Sequence, residues 1–284
     1  MRELSRYRII KEKMFQFLCL AFSWLAVLAL VVLIGKILYD GLSSIQPHFF
    51  TSFPSRSPEK AGIYGAIIGS LWIMLLTTII SVPLGISAAL YLEEYAPRNK
   101  YIDTLQINIS TLAGMPSIVY GLLGLALFVR FFGLGRSVIS GALCMSLLIL
   151  PTIIIASQGA ISSVPVTLRE AAYSLGARRY QVVLGQVLPA AMPGIMTGII
   201  LALSRAMGES APLILIGALS YIAFLPSGPM DSFTVLPVQI FNWAGRPQEE
   251  FHSIAAAGII VLIVLLFALN FTAIVIRNRY QRYK

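Results

Sequence analysis

Across 284 residues the chain is 57% hydrophobic and only 12% charged, with 21 lysines and arginines against 12 acidic residues and a formal charge of +9. That balance excludes an ordinary water-soluble globule, and without a basic patch interleaved with aromatics in a polar domain it excludes a nucleic-acid binder. Cys19 and Cys144 fall in different apolar runs, so neither a disulfide framework nor a metal site is expected.

The first apolar run, Met14 to Gly35, follows Arg2, Arg6, Arg8, Lys11 and Lys13. It is longer than a signal-peptide core and no small-x-small cleavage site follows, so a retained anchor is expected. Uncharged runs long enough to cross roughly 30 Å of hydrocarbon recur at Ile63 to Leu92, Leu105 to Val129, Ser137 to Ile161 and Ser253 to Ile276. Ala190 to Leu225 makes a sixth, although it contains Arg205 and Glu209. The expected fold class is all-α and integral to the membrane, with six transmembrane helices. Six crossings put both termini on one side. The terminal segments and the loops on their side, 93–104 and 162–189, carry fourteen basic residues against five in the three opposite loops. By the positive-inside rule both termini are cytoplasmic, and the net charge reflects topology and attraction to anionic lipid.

Leu105 to Val129 is an unusual span, holding Asn108, Ser110, Thr111, Gly114, Pro116, Ser117, Gly121 and Gly124. Only a protein-packed or water-lined segment tolerates that load, so it is expected to line the interior. Pro83, Pro151 and Pro212 interrupt other spans, and Gly65/Gly69 and Gly194/Gly198 match the small-xxx-small pattern for close helix approach. The first and last runs are more uniformly aliphatic and are expected to face lipid. His48 and His252 fall in the outer loops 40–62 and 226–252 and read as solvated side chains.

The cytoplasmic stretch from Val166 to Gly194 reads as two short amphipathic helices. Thr167 and Glu170 fit a capping box, Leu168, Ala171, Ala172 and Leu175 form a narrow apolar face, and Gly176 can end the helix in the left-handed conformation. Tyr180, Val183, Leu184, Val187 and Leu188 form one face of the second helix, before Pro189 and Pro193. Such a pair makes either a docking surface or an interfacial membrane element. Beyond it, "LSRAMGESAPL" sets Arg205 and Glu209 one turn apart, and on a continuous helix Thr197, Ser204, Arg205, Gly208 and Pro212 share a polar stripe with Glu209 at its edge. An arginine at the bilayer centre costs about 2.5 to 3.5 kcal/mol on insertion scales, which the i,i+4 carboxylate offsets. The pair is either a structural tie or a guanidinium held ready for an oxyanion.

"EAAYSLGARRYQVVLGQVLP" resembles the EAA loop of permease subunits of bacterial ATP-binding-cassette importers, with Glu170, Ala171, Ala172, Gly176, Leu188 and Pro189 at that family's spacing and Gln186 where an aliphatic residue is usual. The resemblance implies a coupling helix seated on a separate ATPase subunit, with Glu170, Ala171, Ala172 and Gly176 at the contact. "LAGMPSIVYGLLGL" at 112–125, "LSRAMGESAPLIL" at 203–215 and "LPVQIFNWAGRPQEEF" at 236–251 resemble the phosphate-specific transport permeases, closer to the A-type subunit than to its C-type partner. This implies a core like the methionine-importer permeases (MetI-like) with one extra N-terminal helix. It divides the chain into an N-terminal segment with the first helix (1–40), a permease core (62–276) with its coupling loop at about 163–190, and a tail (277–284). It further implies a C-type permease partner, an ATPase dimer that binds ATP and magnesium, a phosphate-binding delivery protein, and residence in the bacterial cytoplasmic membrane. The substrate pathway would run past Arg205 and Glu209, with Ser204 and Ser210 as neighbouring hydroxyls.

No G-x-x-x-x-G-K-[ST] stretch occurs, so no cofactor is expected in this chain. An importer of sulfate or molybdate would keep the EAA loop and lack the stretches around Met115 and Arg205. A secondary transporter has no use for an EAA loop. An intramembrane enzyme needs a nucleophile or metal set within the spans, where Glu209 is the one mid-span carboxylate, so no catalytic residue is expected.

Overall fold

The computed structural model describes residues 2–218 and 221–282. Residues 219 and 220 of the expected Ala190–Leu225 span, and 283 and 284 of the expected tail, lie outside the described residues. Helix α1 spans Arg2–Gly41, about 60 Å at 1.5 Å per residue, so its basic first turns extend well beyond the hydrocarbon. Phe15, Phe22 and Trp24 are exposed along it, as a lipid-facing helix requires. Its packed end is Gly41, where a Cβ would sit 2.7 Å from the backbone of Ala256 and Ala257.

The short helix α2 (Pro47–Thr51) precedes α3 (Tyr64–Leu90), which a π-type turn prolongs through Tyr91–Tyr95. Next come α4 (Lys100–Ala113) and α5 (Ser117–Gly124), the latter prolonged by a wide turn through Leu125–Phe131. The expected continuous span Leu105–Val129 is therefore two helices bent by 101°. Pro116 supplies no N–H and drives Met115 out of the helical region, so the break falls there. After α6 (Val138–Ser162) and α7 (Val166–Ser174), α8 (Arg179–Val182) runs through a third π-type turn into α9 (Leu188–Gly208). The second short helix expected in the Val166–Gly194 stretch is thus the foot of the next span, not a separate element. Helices α10 (Ala211–Ile216), α11 (Leu236–Ala244) and α12 (Glu249–Arg282) follow, α12 continuing into the expected tail as far as Arg282.

Side-chain contacts fix the direction of each crossing. At one end, Ser70 on α3 accepts from the Leu236 amide, and the amide of Val138, where α6 begins, donates to the Asp231 carbonyl in the same 226–252 segment. At the other, Glu94 beyond α3 meets Arg169 just past α6. Helices α3 and α6 are therefore parallel, and the chain between them must return, so the bent pair α4–α5 makes one crossing. Helix α9 runs antiparallel to α6, since Gly194 faces Ala160 and Gly198 faces Ala156. Ser204 against Asn270 and Thr197 against Arg277 set α12 antiparallel to α9, and Gly41 against Ala256 and Ala257 sets α1 antiparallel to α12. Six crossings result among the described residues, with the free ends of α1 and α12 on the face that carries the Val166–Gly194 loop.

Close packing, the main attraction between helices in lipid, is densest where α3, α6 and α9 meet around Ile73, Met145, Ile149 and Ile195. A smaller cluster of Phe49, Ile63, Trp243 and Phe251 closes the end opposite the Val166–Gly194 loop. The 226–252 segment contributes α11, whose Leu236, Val238 and Trp243 are buried. It approaches α3 so closely that a Cβ on Gly69 would lie 2.0 Å from the Thr234 carbonyl. Helix α12 does not simply face lipid as expected. Ile254, Ala255, Ala257 and Val261 are buried, while Val264, Phe267 and Phe271 are exposed; its alanines are small enough to admit α1 on one side and α11 on another.

Candidate substrate pathway and coupling surface

The expected polar stripe near Arg205 is interrupted. Helix α9 stops at Gly208, and Glu209 is extended with φ −81° and ψ 122°. Continuing the helix would drive the Pro212 ring into the Gly208 carbonyl four residues earlier, so a second, short helix starts at Ala211. Pro212 therefore leaves the face that Arg205 occupies and is buried against α5, where a Cβ on Gly121 would sit 2.7 Å from its Cα.

Two helix breaks consequently lie side by side, at 114–116 and at 209–210. The Tyr120 hydroxyl spans the first, donating to the Leu112 carbonyl at 2.7 Å, and the Cys144 thiol donates to the Tyr120 carbonyl. Arg205 stands within electrostatic reach of Tyr120. Its Nε is 3.7 Å from Glu209 Oε1, and the two side chains are 50% and 21% exposed. At that distance the pair is an ion contact rather than a hydrogen bond, so the guanidinium keeps donors free for another acceptor. A half-open guanidinium at a junction of broken helices can bind a tetrahedral oxyanion and let it go.

The two serines assigned to this pathway part company. The Ser204 hydroxyl lies 2.7 Å from both the Ile200 carbonyl and the Asn270 amide oxygen, on the α9–α12 seam, so it is not brought together with the Arg205–Glu209 pair. Ser210 sits in the second break and its hydroxyl does not cap α10. It remains beside Glu209.

The Val166–Gly194 loop differs from expectation at its start. Helix α7 begins after Pro165, which places Thr167 inside the first turn, and the expected Thr167–Glu170 capping box does not form. A reciprocal bond closes the next helix instead, where the Arg178 amide donates to Gln181 Oε1 at 2.8 Å. Gly176 ends α7 with φ +79°, the left-handed conformation expected of it. Glu170 and Ala171 are exposed and Ala172 is half-buried. Leu175 is 90% exposed, and Val166, Tyr173, Tyr180 and Leu184 are exposed with it, an apolar tip of the kind that rims a binding surface.

Glu94, Arg169, Tyr120 and Asn270 escaped the sequence reading. Asn270 was detectable as an amide inside an aliphatic run; the Glu94–Arg169 partnership, 75 residues apart, was not.

Residues 81–282 match the family model described as binding-protein-dependent transport system inner membrane component. The chain is 33% identical over 256 residues to a probable ABC transporter permease protein, YqgI, of Bacillus subtilis, covering 86% of this chain and 87% of that one. It is 31% identical over 278 residues to the phosphate transport system permease protein PstA of Haemophilus influenzae, covering 95% and 96%. Among solved structures, a bacterial ABC transporter involved in alginate import superposes with a TM-score of 0.66 at 18% identity, covering 96% and 99%. The MetNI methionine ABC transporter superposes with a TM-score of 0.56 at 17% identity, covering 77% of this chain and 94% of that one.

Proposed function

The chain belongs to the family of binding-protein-dependent transport system inner membrane components, and we propose that it is the membrane subunit through which an ATP-driven importer passes inorganic phosphate. Relatives named as phosphate transport permeases match over nearly the full chain. The observation that carries the substrate assignment is Arg205, half open and only loosely held by Glu209 between two helix breaks.

The physics suits that cargo. Moving a dianion inward against 100 mV costs about 4 to 5 kcal/mol at roughly 2.3 kcal/mol per charge, so accumulation requires ATP. The nucleotide and its magnesium belong to a separate ATPase dimer, which seats on Glu170, Ala171 and the exposed apolar tip at Leu175. A homologous C-type permease completes the cavity across from Arg205, and a soluble phosphate-binding protein delivers the anion at the outer face. The basic residues at both termini support a reading in which that face lies outside and the coupling loop in the cytoplasm.

Transport then proceeds by alternating access. ATP closure draws the coupling loops together and opens the cavity outward; phosphate enters, meets Arg205 and the Ser210 hydroxyl, and leaves inward after hydrolysis. Glu209 competes with phosphate for the guanidinium and so keeps the hold weak. The test is ATP-driven uptake of labelled phosphate by the complete complex in liposomes, with unlabelled sulfate as competitor. Uptake indifferent to sulfate and abolished by Arg205→Gln in an assembled complex is the expected result. Uptake that survives the substitution removes Arg205 from the path, and competition by sulfate reassigns the cargo to a related oxyanion.

A further inference from the structure

Both limbs of the cytoplasmic loop are tied to one residue outside it. Arg169, in the first turn of α7, donates from Nε and Nη2 to Glu94 Oε1 at 3.1 and 2.8 Å. The same guanidinium donates to the Val164 carbonyl at 2.6 Å and the Ile161 carbonyl at 3.0 Å. From the other limb, Arg179 donates to the Glu94 backbone carbonyl and lies 5.0 Å over the Tyr95 ring. Glu94 itself is buried in the π-type turn that ends α3. One carboxylate and its own carbonyl thus gather the end of α3, the last turn of α6, the start of α7 and the start of α8.

Helix α7 has little else to hold it, for none of its residues is buried. Among its apolar side chains Val166, Leu168 and Tyr173 are exposed, and the small Ala172 packs partly against the core. A fork of charge-assisted bonds is stiff in direction as well as strong, since the planar guanidinium fixes the orientation of everything it touches. Neighbouring Glu93 adds a bond from Gln158 on α6 at 3.3 Å.

We propose that Glu94, through Arg169 and Arg179, is the positioning residue that makes the coupling loop move as one body with α3 and α6, converting displacement of the loop into displacement of the spans. The proposal rests on the permease reading above. Removing the clamp leaves α7 hinged on Pro165 and Gly176, so the loop yields to the ATPase without moving the membrane helices.

The experiment uses the complete complex in liposomes and measures phosphate uptake and ATP hydrolysis together, with ATPase copurification as the check on assembly. Glu94→Leu is expected to assemble and hydrolyse ATP while uptake per ATP falls about tenfold, because the Arg169 fork loses its carboxylate acceptor while the bond from Arg179 to the backbone carbonyl remains. Arg169→Lys, which keeps the charge and loses the fork, and Glu94→Gln, which keeps an acceptor and loses the charge, are expected to fall about threefold. Spin labels at Leu175→Cys and Tyr91→Cys in a Cys19→Ser background supply a reading that stability alone does not move. Their separation is expected to stay constant on ATP binding, and to change in Glu94→Leu. Unchanged uptake per ATP in all three variants, loss only alongside lost ATPase copurification, or labels that separate on ATP binding with Glu94 intact overturns the clamp. Absence of ATP-driven uptake in the unsubstituted complex overturns the permease reading instead, and the label separation then judges the clamp by itself.

Discussion

Exchanging a single methyl group between α6 and α9 tests whether their contact positions Arg205. A Cβ added at Gly198 would lie 2.4 Å from the Ala156 Cβ, whereas ordinary contact begins near 3.4 Å. Gly198→Ala must therefore push the helices about 1 Å apart or tilt one of them, and overpacking of this kind costs about 1 to 3 kcal/mol. The gain in helix propensity on replacing glycine, about 1 kcal/mol, offsets part of that. Ala156→Gly removes the opposing methyl, so the double variant restores the contact, with the propensity gain on α9 balanced by the loss on α6. Thermal unfolding of the detergent-solubilised complex is expected to drop for Gly198→Ala and return near the original for the pair. Phosphate uptake is expected to follow the same order, because Arg205 lies two turns further along α9 and a displacement of about 1 Å at a positioned group is enough to cost activity. A single variant more stable than the original chain, showing the propensity gain with no overpacking cost, would refute the close approach. A double variant no better than the single one would show that the lost contact was elsewhere.

Three further outcomes are expected. Gly176 adopts φ +79° with nothing within 4 Å of where a Cβ would sit, so the cost of substitution there is purely conformational; Gly176→Val should uncouple ATP hydrolysis from uptake, while Gly176→Asn, which tolerates the left-handed region, should largely preserve it. Ser70→Ala strands the buried Leu236 amide and should lower stability by about 1 to 3 kcal/mol, measured as a drop in Tm. Asp231 accepts bonds from the Ser227 hydroxyl, the Ser227 amide and the Gly228 amide, which hold its carboxyl below the usual range. A depressed carboxyl pKa contributes stability above the unfolded value of about 3.9 and loses it as pH falls through the folded value. Protection of the Val138 and Ile139 amides, which bond to this loop, against hydrogen exchange, relative to the unfolded chain at the same pH, should therefore fall only in acid and already be low in Asp231→Asn near neutrality.

Much of the architecture is determined by the sequence alone, because the energetic cost of placing charge in hydrocarbon is large and local. The apolar runs mark the crossings, and Gly194 and Gly198 announce a close helix contact that α6 supplies. The left-handed turn at Gly176 is legible for the same reason, since a single residue's backbone decides it. What the sequence could not decide is where a helix stops inside an apolar run and which distant groups meet. The wheel that joined Arg205 to Pro212 assumed a continuous helix, yet Pro212 forbids one, and the resulting break turns Pro212 toward α5 while leaving Arg205 open. Ser204 shares a face with Arg205 by periodicity but finds Asn270 on α12. Glu94 looks like an ordinary loop carboxylate until α3 and α6 run parallel and bring it to Arg169. Apolar burial is written residue by residue along the chain, whereas a polar group's partner depends on how whole helices pack, and only the tertiary structure sets that.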